Sequence, residues 1–592
     1  MAHDTIPARF MAQAKTRPDA PAYYAKEGGS YKAASWGQYV AEVRAAAKSL
    51  IQMGVEPGGT VAILGFNRPE WVIFDIAAMC IGAAPAGIYT TCSPTEVQYI
   101  IDHCEAPVVL LENEGQWEKV NAERENLPKL RNVVMMKGAS IDDELCMDWD
   151  AFMAAGEGVS DEDLDARIDA LEPSALATFI YTSGTTGPPK GVMLSHENLS
   201  WTASCAQGIT GLTHSDVSMS YLPLSHIAEQ MFTIHCPVTA GSVVYFAESI
   251  EKVPDNLKEV RPTVFFAVPR IWEKFYAAIS GKLKEATGFK ATMAGWAQET
   301  GREVSNLKNQ GQEAGGWLKM KHNFFNGKVY TPLKEKIGLD RARVCVSGAA
   351  PVAKEILEFF SGFDLIVLEV YGQSEDTGPT SFNVPGKTKF GSVGPALPGV
   401  EVKIAEDGEI CVQGPNVYLG YYKDTAATDE ALIDGWLHSG DLGEVDSEGF
   451  LHITGRKKDI IITAGGKNIA PKNIEAAMKN QPLVNECVVI GDRRKFLSAL
   501  VTIDPDAIGK WAADNGQSTE NLHENEKLIA EVQTYVDATN KLFARVEHIR
   551  KFRILTRQLT IEDGELTPTL KVKRSKVNDH FADTIESMYA DA

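Results

Sequence analysis

The feature that most constrains the fold is a series of short apolar runs, rich in Val and Ile, recurring across the first 380 residues. They are Thr60–Gly65, Val108–Leu111, Leu176–Tyr181, Val217–Leu222, Val243–Phe246, Thr263–Val268, Val344–Ser347 and Leu365–Tyr371, and many are followed by Gly, Pro or Asn. Helical patterns lie between them. A strand buried on both faces loses the apolar–polar alternation of a half-exposed one, so this texture predicts an α/β fold with largely parallel sheets.

The texture changes twice. From about Gly391 to Phe450 glycines crowd between short alternating runs (GSVGPALPGV, EDGEICVQG, YLGYY, DSEGF), which reads as a compact antiparallel, barrel-like β region. Residues 458–592 combine helix patterns at Asn473–Asn480 and Glu526–Glu547 with short strands at Glu486–Ile490, Leu497–Ile503 and Phe552–Leu555. That is enough for a small α+β domain. At 592 residues the chain is too long for one core. The division expected is 1–457, two α/β subdomains plus the β region, and 458–592.

Charge and cysteines narrow the class. With 58 basic and 79 acidic residues the formal charge is −21, which speaks against a nucleic-acid binder. An acidic chain can still bind anionic small molecules where a site is locally positive. The nine cysteines form no C-x-x-C pair, so no zinc or redox motif is expected, and their spacing fits a reducing cytoplasm. The start, MAHDTIPARF, carries no signal-peptide pattern. The most apolar stretch, Trp71–Ile88, is broken by Asp75 and Pro85 and reads as a buried helix and turn, because a span needs about 20 clean apolar residues. Residues 281–328 are helical in pattern and carry eight Lys/Arg against four Glu. A solvated helical insertion and a membrane-surface contact both fit that pattern.

The strongest local motif is Tyr181-Thr182-Ser183-Gly184-Thr185-Thr186-Gly187-Pro-Pro-Lys190-Gly191. It lies between an apolar strand and a second short run, Val192–Leu194, after which Ser195 is placed to cap a helix. Gly184 and Gly187 let the backbone turn and point N–H groups inward; the hydroxyls and the Lys190 ammonium add donors and charge suited to a polyphosphate. The spacing is not that of a Walker A loop, which puts the lysine directly after its second glycine.

This loop resembles the signature of the adenylate-forming superfamily, which includes acyl-CoA synthetases, luciferases and peptide-synthetase adenylation domains. The other family motifs follow in order, so the resemblance covers nearly the whole chain. It implies ATP, Mg²⁺ and coenzyme A as ligands. Gly348, Ala349 and Ala350, in SGAAP, would border adenine. Tyr371, in Tyr371-Gly372-Gln373-Ser374-Glu375, would stack on it, with Ser374 on phosphate and Glu375 as the Mg²⁺ ligand. Asp441, in GWLHSGDLG, would accept both ribose hydroxyls, and Arg456 would assist there.

The resemblance also implies a moving part. Lys458 would be the hinge about which the C-terminal domain turns. Lys571, in LTPTLKVKRS, would be the catalytic lysine, with Lys573 a competing candidate because the motif departs from the commoner Ser-Gly-Lys form. Gly465 and Gly466 would border the coenzyme A channel. His226, in LPLSHI, would stand where the acyl and nucleotide sites meet. The segments LPLSHIAEQ and RPTVFFAVPRIWEK resemble long-chain fatty acyl-CoA synthetases, closest to the bubblegum-type branch. The activity implied is acyl-adenylate formation with release of pyrophosphate, then transfer to coenzyme A with release of AMP. One rival is an adenylating enzyme that loads a carrier protein. Another is a non-catalytic nucleotide- or lipid-binding scaffold, which would be expected to lack Lys190, Glu375 or Lys571; the chain has all three.

Overall fold

The structure is a computed structural model, and it describes residues 3–182, 188–464 and 467–590. Three of the predicted strands meet in one eight-stranded sheet. In spatial order its strands are Gly420–Tyr421, Lys190–Ser195, Leu176–Thr182, Ala84–Ile88, Thr60–Leu64, Val108–Leu111, Asn132–Met135 and Cys146–Met147. From Leu176 onward the pairings are parallel, and every residue of Thr60–Leu64 and Val108–Leu111 is buried, as unbroken apolar runs require.

The edge of this sheet positions the phosphate-loop motif. Leu176–Thr182 and Lys190–Ser195 form an antiparallel hairpin in which Thr182 pairs with Lys190. The motif therefore closes a hairpin, whereas a Walker loop would lead into a helix. Ser195 caps the next helix, His196–Thr210, by accepting the Asn198 N–H at 3.1 Å.

The Trp71–Ile88 stretch is half helix and half strand. Helix Pro69–Cys80 is buried from Glu70 to its end, but Ala84–Ile88, expected as a turn, is a central strand. Pro85 and Gly87 read as breakers in sequence. In the fold, a Cβ at Gly87 would lie 2.9 Å from Ser225 Cα and 3.1 Å from the Trp71 ring. The glycine lets the Ser225–His226 loop rest on the sheet.

Two further sheets complete the first part of the chain. One has the order Val217–Ser220, Val243–Phe246, Pro21–Glu27, Ser30–Ser35; the other is Val264–Ala267, Val344–Ser347, Val367–Tyr371, Ser381–Phe382. Predicted strands supply the parallel pair of Val217–Ser220 with Val243–Phe246 in the first and both parallel pairs of the second. Pro21–Glu27 (PAYYAKE) escaped the sequence reading because it has no Val or Ile and draws its partners from residues 30–35 and 243–246.

The glycine-rich region folds as the expected antiparallel sheet, built from Glu401–Ile404, Glu409–Gln413, Leu432–Ile433, Trp436–Val445 and Leu451–Arg456. Beyond it, Val484–Ile490, Leu497–Ile503 and Ile549–Ile554 form a three-stranded sheet. Helices Pro471–Lys479 and Glu526–Asn540 cover it, enclosing a separate core around Ile474, Val489, Leu497, Val501 and Val532. The second helix stops seven residues before the predicted Glu547, where a 3-10 turn, Arg545–Glu547, leads into the last strand. Residues 281–328 are helical, with helices Gly288–Asn309 and Gly316–Phe325. Among the described residues no helix is long and apolar enough to cross a membrane.

Candidate functional site

The site gathers at the C-terminal end of strand Val367–Tyr371. Past Tyr371 the chain makes a tight turn through Gly372 into the 3-10 turn Ser374–Asp376. A Cβ on Gly372 would run into the Gly378 carbonyl, so only glycine fits. Asp376 pins the turn by accepting the Gln373 N–H at 2.7 Å and the Thr380 hydroxyl. It is fully buried, and desolvation raises its pKa well above the usual carboxylate range. Ser347, Gly348, Ala349 and Ala350 end the neighbouring parallel strand, and the two alanines are exposed.

Asp441 and Arg456 face each other across the antiparallel pair Trp436–Val445 and Leu451–Arg456. The Tyr371 hydroxyl donates to Asp441 Oδ2 at 2.9 Å, and Arg456 Nε lies 3.4 Å from Oδ1. One carboxylate is thus tied to an aromatic ring on one side and a guanidinium on the other. Glu409 shapes the turn before it, accepting the Gly440 N–H at 2.9 Å, His438 at 3.0 Å and Lys457 at 3.1 Å. Glu409, Cys411 and His438 lie close enough together to resemble a metal cluster. The Lys457 ammonium already compensates the carboxylate there.

Lys190 and Glu375 are joined through Tyr421. Its strand, Gly420–Tyr421, adds to the hairpin edge beside Val192. Its hydroxyl donates to Glu375 Oε1 at 2.8 Å, and the Lys190 ammonium sits 4.7 Å from its ring centroid. Lys190 is also 3.8 Å from Asp424. Glu375 is half-buried and brings one hard carboxylate to the place where Tyr421 and Lys190 meet. That donor set fits Mg²⁺, which takes one or two carboxylates and fills its shell with phosphate oxygens and water.

His226 begins the helix Ile227–Gln230, and its Nδ1 accepts the Ala228 N–H at 3.2 Å. An accepting Nδ1 leaves the proton on Nε2. Burial and the nearby Lys571 ammonium bring the His226 pKa down to about 4, so the ring is a neutral N–H donor at physiological pH.

Lys571 arrives from the C-terminal part. The turn Thr567–Lys571 is closed by Thr567 N–H to the Lys571 carbonyl (2.8 Å) and Lys571 N–H to Thr567 Oγ1 (3.0 Å). Thr91 Oγ1 donates to the Pro568 carbonyl at 2.9 Å, docking the turn on the large part. Lys571 is exposed. Desolvation, then Arg456 and Lys472, lower its pKa, while Asp441 and Glu375 oppose them. The Lys573 charge acts on Cys92. Lys571 is the one of the two candidate lysines whose charge acts on His226 and interacts with Asp441 and Glu375.

Lys458 lies between two anchored neighbours. Lys457 is paired with Asp407 at 2.6 Å and with Glu409, on one side; Asp459 is paired with Lys472 at 3.1 Å, on the other. Thr182 sits at the mouth of the hairpin. Ser183, Gly184, Thr185, Thr186, Gly187, Gly465 and Gly466 lie outside the described residues. Sequence reasoning missed Asp376, Glu409, Tyr421 and Lys472. Each acts on a motif residue through a contact between segments far apart or through a turn, and no local pattern announces it.

Residues 10–422 match the AMP-binding enzyme family and residues 458–592 the C-terminal domain of AMP-binding enzymes. A long-chain-fatty-acid–CoA ligase of Xenopus laevis is 37% identical, over 99% of this chain and 84% of its own. One from Mycobacterium tuberculosis is 37% identical, over 99% of this chain and 97% of its own. Among solved structures, O-succinylbenzoate coenzyme A synthetase from Bacillus subtilis, in complex with ATP and magnesium ion, superposes with a TM-score of 0.67 at 23% identity. That match covers 96% of this chain and 98% of the other.

Proposed function

The chain belongs to the AMP-binding enzyme family, and from that premise we propose that its cleft joins a long-chain fatty acid to coenzyme A at the expense of ATP. The protein is an AMP-forming fatty acid–CoA ligase. A carboxylate oxygen attacks the α-phosphorus of ATP, the bond to the β-phosphate oxygen breaks, and pyrophosphate leaves. The coenzyme A thiol then attacks the acyl carbonyl, losing its proton. The carbonyl–oxygen bond to AMP breaks, and AMP departs. Neither step needs a side-chain nucleophile, so positioning and charge carry the rate.

The observation that carries this reading is Lys571, delivered by the C-terminal part into a cleft already holding His226, Glu375 and Asp441. In it, Lys571 neutralises charge at the α-phosphate, and His226 presents its Nε2–H to the carboxylate. Asp441 and Arg456 hold the ribose, Tyr371 and residues 348–350 hold adenine, and Lys190 with residues 182–187 hold the phosphates. When bound, Mg²⁺ on Glu375 offsets the charge of the departing pyrophosphate. The division at 457/458, with Lys458 as hinge, lets the C-terminal domain withdraw Lys571 and bring Gly465 and Gly466 toward coenzyme A. A cytoplasmic location with peripheral membrane contact through residues 281–328 completes the proposal.

The test is a pyrophosphate-release panel over acids of increasing length, with and without coenzyme A, and with a phosphopantetheinyl carrier protein in its place. Turnover of C12–C18 acids with coenzyme A is expected. Activity only on acetyl or aromatic acids would overturn the substrate assignment; product only on the carrier protein would favour carrier loading.

A further inference from the structure

Helices Gly288–Asn309 and Gly316–Phe325 pack against each other, and together they carry the most exposed apolar surface of the molecule. Phe289 is 70% exposed, Trp296 54%, Trp317 67%, Met320 60% and Phe324 56%. Every exposed Phe and Trp among the described residues lies on these two helices. Their spacing is helical: 289 and 296 are two turns apart on the first helix, and 317, 320 and 324 share one face of the second. A folded core explains neither stripe, since the first helix already buries Ala297, Thr300, Gly301 and Val304.

Cations surround the stripes. Lys282, Lys284, Lys290, Lys319, Lys321 and Lys328 are all exposed, in a segment with eight Lys/Arg and four Glu on a chain of charge −21. A locally basic patch on an acidic protein points to an anionic partner. Trp and Phe beside lysine suit the boundary between lipid headgroups and acyl chains, where ring and ammonium each find a fitting environment.

We propose that this helix pair inserts its aromatic face into an anionic lipid surface, from which the enzyme takes its acid. The inference rests on the fatty acid reading above. Helix Pro269–Glu285 links the two places. It starts at strand Val264–Ala267, whose Phe266 stacks on Phe232 at 4.9 Å, six residues after His226 and its helix cap. It then runs about 25 Å toward the lysines and helix Gly288–Asn309. A chain leaving the bilayer beside the helix pair meets this helix on its way to His226.

The test is co-sedimentation of the full chain with phosphatidylcholine vesicles and with vesicles containing phosphatidylglycerol. Three proteins are compared: wild type, the triple variant Trp296→Ser/Trp317→Ser/Phe324→Ser, and Lys290→Glu/Lys319→Glu/Lys321→Glu. The wild type is expected to bind the anionic vesicles, and both variants to bind them about tenfold or more weakly. Both variants should keep wild-type turnover of detergent-dispersed acid, which controls for folding, and lose turnover of vesicle-borne acid. Wild type left in the supernatant, or equal binding by all three proteins, overturns the proposal. So does a vesicle-free mass that falls from dimer to monomer in the aromatic variant, because a second copy then covers the face. Vesicle binding without turnover of any long-chain acid would instead refute the substrate reading and leave the lipid-binding face standing.

Discussion

The two sides of the cleft are built differently. The large part holds its groups by short-range covalent and hydrogen-bonded geometry: Tyr371 and Arg456 end strands, Asp441 lies within one and Glu375 in a 3-10 turn, and they are cross-linked through Tyr421, Asp376 and Glu409. The C-terminal part contributes Lys571 on a turn that meets the large part through contacts such as Thr91 with Pro568 and Arg270 with Asp504, at 3.0 Å. A binding surface gains from being fixed before the ligand arrives. A charge needed in one step only gains from being removable.

Substituting the two sides should separate them. The largest effect is expected for Lys571→Ala: about 10²–10³-fold slower adenylation, read by pyrophosphate release, with thioester formation from preformed acyl-adenylate unchanged. Equal loss in both steps would mean that Lys571 belongs to the fixed half. Next is Lys458→Pro, which freezes one backbone angle of the hinge. Thioester formation should fall by about tenfold or more while adenylation persists. If both steps survive, the two halves do not need to move about this residue.

The Arg270–Asp504 pair offers a finer test. It is partly solvated, so it should contribute about 0.2–1 kcal/mol to the closed arrangement. Asp504→Ala should slow adenylation about two- to fivefold, and exchanging the charges (Arg270→Asp with Asp504→Arg) should restore it. The smallest effect is on pH dependence. The Lys571 pKa lies below the ordinary lysine value of 10.5, so its charge is lost earlier than usual on the alkaline side. The alkaline decline of adenylation should therefore begin below that value, and thioester formation should lack this limb. A shared limb would blur the contrast.

How much of this was legible beforehand depended on whether the cause was local. Val108–Leu111 and Val344–Ser347 were readable because burial on both faces leaves a purely apolar run. Ala84–Ile88 was not, because Pro85 and Gly87 answer to the loop packed on them and to no rule of strand propensity. The same divide runs through the site. Lys190, Tyr371, Glu375, Asp441, Arg456 and Lys571 stand in motifs whose spacing is set by a strand end and a turn. Glu409, Tyr421 and Lys472 reach the site from other segments, and their letters carry no mark of it.

The sequence by itself determined the α/β class, many of its buried strands and the motifs that carry the candidate site residues, since burial and turn formation act over a few neighbouring positions. Tertiary structure alone decided that the phosphate-loop motif lies between the strands of a hairpin and that Lys571 comes within electrostatic reach of Asp441 and Glu375. It also decided that Lys458 stands between two anchored neighbours. Those outcomes depend on pairings such as Thr182 with Lys190, Lys457 with Asp407 and Thr91 with Pro568, whose energies exist only once the chain has folded.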